Sequence, residues 1–278
     1  MLPDAKARRC RPLLGTYVEI EAEGDASVID AGFEAIAEVH RRMSFHEQTS
    51  DLARMRDTPI GSIVHVSRLT VETLTIALDL YRMSDGLFDV SVGRELVRDR
   101  FLPMTKCGWK HAVGELPDLE ILDECSVVLR RPLLIDLGGI AKGFAVDRAV
   151  AAMQAAGCNQ GIVNAGGDLR TFGDQAAAIT MRNADGTLGE IVPLVNSAMA
   201  SSSNLHNRRR RWGISRSPHR GPHGRSILSN ERVTVIAPRC VIADAMTKVA
   251  LVDRQLAKDL LAAHGGIILE SDMSRAAA

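Results

Sequence analysis

A short apolar run, a cluster of glycines and a helix start follow one another in "IDLGGIAKGFAVD", residues 135 to 147. This stretch restricts the fold most, because the chain must pass from extended to helical within a few residues. On its left, "RPLLID" is apolar and introduced by Pro132, which predicts a buried strand ending at Asp136. On its right, Val146, Ala149, Val150 and Met153 recur at helical spacing as far as Gly157, a helix stop. A strand, a Gly-rich turn and a helix N-terminus present backbone N–H groups and a positive dipole end, which suits an anion. Lys142 adds a mobile charge, and Gly138, Gly139 and Gly143 let a ligand approach the backbone closely. Neither the G-x-G-x-x-G pattern nor the P-loop pattern is met, so a purely structural turn stands beside the anion reading.

The rest of the chain alternates irregularly. "GTYVEIEAEG" sets Tyr17, Glu19 and Glu21 opposite Val18 and Ile20, as a half-buried strand does. Val28, Phe33, Ile36 and Val39 trace a helical stripe from Ser27 to Met43. Val71, Leu74, Leu78 and Tyr81 trace a second one that ends before Gly86. "GIVNAGGDLRTFG" reads as strand, tight turn, strand, and "AAAITMR" and "RVTVIA" as two further strands. A helix from Ile242 to Val252, another through Leu261, and a closing strand in "GGIILE" complete the pattern. Strands and helices mix without a regular β-α repeat, so the expected fold is α+β with mixed sheets and packed helices. Hydrophobic residues make up 46% of 278, enough for one domain over 1–278 or two intimately packed lobes.

Lys plus Arg and Asp plus Glu both number 34, so no broad charged surface for nucleic acid or anionic lipid is expected. Binding has to be local. Cys10, Cys107, Cys125, Cys158 and Cys240 are scattered and form no C-x-x-C pair, which suits free thiols better than disulfides or zinc. The first residues carry basic groups but no apolar signal core, and no run approaches a membrane span, so a cytoplasmic location is expected. Residues 204–226, "NLHNRRRRWGISRSPHRGPHGRS", break the pattern: four arginines precede Trp212 and apolar periodicity is lost. A solvated or disordered loop is the expectation there, ahead of a nucleic-acid loop.

Seven short motifs lie at strand ends or turns: "LLGT" (13–16), "MSFHEQTSDLARM" (43–55), "GLFDVSVG" (86–93), "IDLGGIAKG" (135–143), "NAGGDLR" (164–170), "ASSS" (200–203) and "CVIADAMTKVALV" (240–252). As an ordered set over roughly residues 10 to 255 they resemble the FAD:protein FMN transferases, the ApbE family. The likeness is most specific in "IDLGGIAKGFAVD" with "NAGGDLR", and in "ADAMTKVAL". It implies an α+β flavin-transferase fold that binds FAD and a divalent cation, usually Mg²⁺. It implies transfer of FMN to a Ser or Thr of a target protein, with release of AMP. An FAD-binding protein, or an FAD hydrolase, that has lost protein flavinylation is the alternative.

By the same resemblance Asp136 and Lys142 contact FAD, and the backbone carbonyl near Gly139 helps to ligate the metal. A hard cation with oxygen ligands would neutralise the pyrophosphate for attack at phosphorus. Asp244 is the expected metal carboxylate and catalytic residue; a plain helix N-terminal Asp is the structural alternative. The family's Thr four residues later is Lys248 here, and Thr247 lies one residue early, about 100° away around a helix. Thr247 therefore enters as the candidate metal hydroxyl. His46 stands where the family has an aromatic near the isoalloxazine, and Leu14 where it has a flavin-lining Met. Leu87, Phe88 and Asp89 would line the adenosine side. The Gly166–Gly167–Asp168 turn is either a tight turn or a ligand contact. The family's His-x-x-Asp-Pro-x-Thr-Gly motif is replaced by "SPHRGPHGRSI", in which His223, ahead of His219, is the candidate acid–base histidine.

Overall fold

The computed structural model describes residues 6–24, 26–106, 108–183, 187–204, 207–211 and 213–270; Cys107 and Trp212 lie outside them. Its frame is a seven-stranded sheet built from β1 (Lys6–Leu13), β2 (Thr16–Glu23), β6 (Gly161–Ala165), β7 (Asp168–Phe172), β10 (Ala198–Ser203), β13 (Arg232–Ala237) and β14 (Ile267–Leu269), in that spatial order. Three smaller sheets are β3 (Ile63–His65) with β5 (Ser126–Leu129) and β4 (Leu119–Asp123), the pair β8 (Ala177–Arg182) and β9 (Leu188–Leu194), and the pair β11 (Arg209–Arg211) and β12 (Ile214–Arg216). The fold is α+β, as expected. Every pairing among the described strands is antiparallel, so the sheets are not mixed in strand direction.

Helices cover one face of the large sheet. These are α1 (Ala26–Met43), α5 (Ala141–Ala155) and α6 (Cys240–Ala250), with α2 (Asp51–Asp57), α3 (Arg68–Met83), α4 (Gly93–Arg98) and α7 (Arg254–Ala263) around them. Val18 and Ile20 of β2, Val163 of β6, Phe172 of β7, Ala200 of β10 and Val235 of β13 point into this layer and join one continuous apolar cluster. The alternation read in "GTYVEIEAEG" is the period-2 signature of this half-buried sheet. The other face carries Leu169 and Met199, covered by Leu194, Ile179 and Val192 of the β8–β9 pair. No described helix is long and apolar enough to cross a membrane.

Two expectations change. "RPLLID" is buried and extended but joins no sheet. Its backbone instead bonds irregular chain, with Gly93 N–H donating to Leu134 O and Asp136 N–H to Val90 O. An apolar run without alternation reports burial, not pairing. The described part of 204–226 is only partly the solvated loop expected: it holds the β11–β12 hairpin, and Arg208 and Arg220 act as braces while Arg209, Arg210 and Arg225 are exposed. The Arg220 side chain is 2% exposed and pairs with Asp99 at 2.9 Å, over the Phe101 ring. Arg208 donates to Asn204 Oδ1, Asn230 Oδ1 and the Ser229 carbonyl. Burial would raise the Asp99 carboxyl, but hydrogen bonds from Arg98 and Arg220 outweigh it and hold it below the usual range.

Candidate active site

Two helices carry the charged centre. Helix α5 buries most of its surface, leaving Arg148, Ala151, Gln154 and Ala155 exposed. One of its buried positions is a carboxylate. Asp147 accepts from the backbone N–H of Cys240 (2.9 Å) and Val241 (3.0 Å), the first residues of α6, and from Arg170 Nη1 (2.7 Å). It thereby satisfies two donors that a helix start leaves unpaired and fixes α6 against α5. The helices meet at Gly143, where a β-carbon would lie 2.4 Å from the Cys240 carbonyl oxygen and 2.8 Å from Asp244 Cβ. Gly143 is small for helix closure, not for ligand approach.

Asp244 sits fully buried at this contact. Gly143 N–H donates to its Oδ2 at 3.0 Å, and Lys142 Nζ lies 3.5 Å from the same oxygen. Lys248 Nζ, one helical turn on, bonds its Oδ1 and also donates to its main-chain carbonyl at 2.9 Å. Lys142 in addition pairs with Asp168 at the start of β7. Burial works to raise the Asp244 carboxyl, yet the two ammonium groups outweigh it and hold it below the usual range. Lys142 is lowered, burial being the largest cause, with Asp244 opposing. Two carboxylates and two ammoniums balance. Each ammonium has three donors and, among the described residues, only two acceptor contacts.

The Gly-rich turn behaves differently from the anion cradle its sequence suggests. Ile140 and Ala141 N–H both donate to the Leu137 carbonyl, Gly143 N–H is spent on Asp244, and Gly138 N–H bonds the Asp136 carboxylate. Most donors at this helix start are thus used internally, and the Gly139 and Lys142 N–H groups with the two lysine ammoniums remain for an anion. Burial pushes Asp136 up to about 6, opposed by the Gly138 N–H and the charge of His46. His46 is itself exposed.

The other motifs frame this centre unevenly. Leu14 is not in a strand: with Gly15 it makes the two-residue turn between β1 and β2, both at positive φ (55° and 70°). Its N–H donates to His40 Nδ1 at 2.9 Å. The turn before Asp168 packs on this corner, since a β-carbon on Gly166 would lie 2.4 Å from Thr16 Oγ1. Phe88 is buried, its N–H bonded to Ser84 Oγ at 2.9 Å, and its ring lies beside Gly139 and the Lys248 stem. Asp89 accepts from Ser91 N–H and Oγ and closes its own turn, and burial raises its carboxyl; Leu87 beside it is half-buried.

Two candidates need correction. The Thr247 hydroxyl is buried against β10, shared with Ser202 Oγ at 2.7 Å and donating to the Asp244 carbonyl at 2.6 Å. The 100° step between neighbouring helical residues turns it inward and brings Lys248 beside Gly139. His223 is exposed at positive φ, next to Gly224, which packs on Glu95. It is His219 whose ring feels Lys248, Lys142 and Asp244. Burial, then repulsion from the two lysines, lowers it to about 4, and its buried Nδ1 has no hydrogen-bond partner.

Comparison with known proteins places the whole chain in a family. The model of the ApbE family covers residues 14–268. The chain belongs to the ApbE family. A Chlamydia pneumoniae protein named FAD:protein FMN transferase is 25% identical over 267 residues, 87% of this chain and 80% of its own length. A protein of the same name from Chlamydia trachomatis is 28% identical over 253 residues, 80% of this chain and 77% of that protein. The crystal structure of the ApbE protein of Thermotoga maritima superposes with a TM-score of 0.84 at 23% identity, over 98% of this chain and 99% of that one. The flavin transferase ApbE of Vibrio cholerae gives 0.80 at 22% identity, over 97% and 95%.

The divalent cation implied by the ApbE likeness does not fit the residues present. Mg²⁺ asks for six oxygens, one or two of them carboxylate. Asp244 has both oxygens committed, Thr247 faces Ser202, and the Lys248 stem fills the space beside Gly139. A divalent ion on Asp244 would also have the Lys248 ammonium, a like charge, as its neighbour. Sequence reasoning also missed Asp147. Its signal was there: a carboxylate on the same helical face as Phe144 and Val150, where only a paired charge is tolerated.

Proposed function

We propose that this ApbE-family chain transfers the FMN part of FAD to a Ser or Thr hydroxyl of a target protein and releases AMP. The observation that carries the reading is the pair of ammonium groups, Lys142 and Lys248, held on buried Asp244 beneath the Gly-rich turn with a donor of each unspent. Such a pair suits a pyrophosphate, whose charge a low-dielectric site strengthens. Lys142 contacts FAD from the start of α5, and Asp136 from the preceding turn. Leu14 and His46 flank the flavin, and Leu87, Phe88 and Asp89 take the adenosine side. Asp168 orients Lys142.

In the reaction the acceptor hydroxyl oxygen forms a bond to the FMN-side phosphorus, and the bridging P–O bond breaks with its electron pair going to AMP. Lys142 and Lys248 stabilise the oxygens on which charge collects. The hydroxyl proton leaves toward His219, neutral at pH 7 with a free Nδ1, and passes on to solvent or to the AMP phosphate. With water as the acceptor the same steps hydrolyse FAD, a second reading favoured by the rebuilt segment 204–226.

Incubation of the purified protein with FAD and a Thr-bearing acceptor peptide, followed by AMP quantitation and peptide mass, tests the proposal. AMP with flavinylated peptide is the expected result. AMP with unmodified peptide assigns hydrolysis, and bound FAD with no AMP assigns a flavin binder.

A further inference from the structure

Lys248 stands where the ApbE likeness implies a metal ligand, and it is itself a cation. Asp244 and Lys248 stand at i and i+4 on α6, the order that favours an ion pair on a helix. The Lys248 side chain is 13% exposed and Asp244 is not exposed at all, so the pair is fixed by its surroundings. The stem passes Gly139: a β-carbon there would lie 3.6 Å from Lys248 Cε and 4.0 Å from Cγ. The ammonium therefore sits between the Gly-rich turn and the buried carboxylate, within reach of whatever lies on that turn. Its bonds to Asp244 Oδ1 and to the Asp244 carbonyl leave one N–H directed elsewhere. The Thr247 hydroxyl is fully buried, shared with Ser202 and bonded to the helix backbone.

We propose that Lys248 replaces the divalent cation in this chain, its ammonium meeting the pyrophosphate of FAD directly, so that FAD is bound and used without metal. The inference rests on the proposed FAD reaction and specifies its charge supply. A tethered ammonium brings one charge instead of two, but it needs no dehydration and no free ion. Lys142 supplies the second charge from α5. FAD affinity should consequently fall with added salt while remaining indifferent to chelators.

FAD binding is measured by calorimetry in EDTA and again in millimolar Mg²⁺, on the wild type, Lys248→Thr and Lys248→Arg. The wild type is expected to give the same affinity in both buffers. Lys248→Thr removes the charge and restores a hydroxyl one turn from Asp244. It should lose roughly ten- to a hundredfold in EDTA, the scale of one charged hydrogen bond, and regain affinity in Mg²⁺. Lys248→Arg should stay metal-indifferent. Mn²⁺ titrated into the wild type with and without FAD, read by the electron paramagnetic resonance of the free ion, should show no binding. Loss of wild-type affinity in EDTA with recovery in Mg²⁺, or stoichiometric Mn²⁺ uptake, overturns the replacement and leaves the transferase reading standing. No FAD binding in either buffer overturns both.

Discussion

Asp136 is a carboxyl that the fold holds at a cost, and the cost can be measured. Burial raises it from an ordinary value of 3.8 to about 6, against the pull of the Gly138 N–H and the His46 charge. At any pH above both values the ionised native side chain costs about 3 kcal/mol relative to the unfolded chain. The sign follows from proton uptake. As pH falls through 6 the native state binds its proton first, so wild-type stability from this group returns between pH 6 and 4. Asp136→Asn keeps the shape and an oxygen for the Gly138 N–H, and has no charge to desolvate. With some loss of the attraction to His46, the variant should be more stable than wild type by about 2 kcal/mol at pH 7 to 8. The gain should shrink below pH 6 and vanish near pH 4. Urea unfolding of both proteins across pH 4 to 8 reads this directly, because every other titrating group is common to the pair. An Asn variant no more stable than wild type at pH 7, or a difference that does not change with pH, refutes the reasoning. FAD affinity should move the opposite way and weaken, as expected where strain is kept for function.

Two further substitutions test neighbouring parts of the site. Gly143→Ala gains about 1 kcal/mol of helix propensity but drives a β-carbon into the Cys240 carbonyl, backbone that cannot rotate away. A net loss of about 2 kcal/mol, a fall in Tm of roughly 5 °C, is expected in a thermal melt; an unchanged Tm would remove the close helix contact from the account. His219→Gln should slow AMP release from FAD without changing FAD affinity, whereas His223→Ala should leave both as they are. Because His219 is lowered to about 4, wild-type stability from this group falls as pH drops from 6.5 toward 4, and the Gln variant should lack that acid sensitivity.

The sequence was most legible where a residue pattern is local. The helix at 26–43 shows its apolar stripe in the letters, because a helix packed on one side must repeat every three to four residues. The hairpin around Gly166 and Gly167 is as clear, since both need positive φ. "RPLLID" was misread because apolar content alone does not say whether a buried segment finds strand partners. Within the Arg-rich segment the burial of Arg220 was illegible for a related reason: it looks like solvent-facing charge until Asp99, more than a hundred positions away, is placed beside it.

By itself, then, the sequence determined the α+β class, the Gly-rich turn into a central helix, and a candidate list containing Asp136, Lys142, Asp168 and Asp244. These follow from periodicity, backbone preference and motif order, all carried by neighbouring residues. Only the tertiary structure decided that Asp147 pins α6 to α5 and that Lys142 and Lys248 converge on one carboxylate. The same holds for Thr247 facing Ser202 and for His219 being half-buried where His223 is exposed. Each of those depends on the phase and approach of elements far apart in the chain, and on burial that turns a surface charge into a paired one.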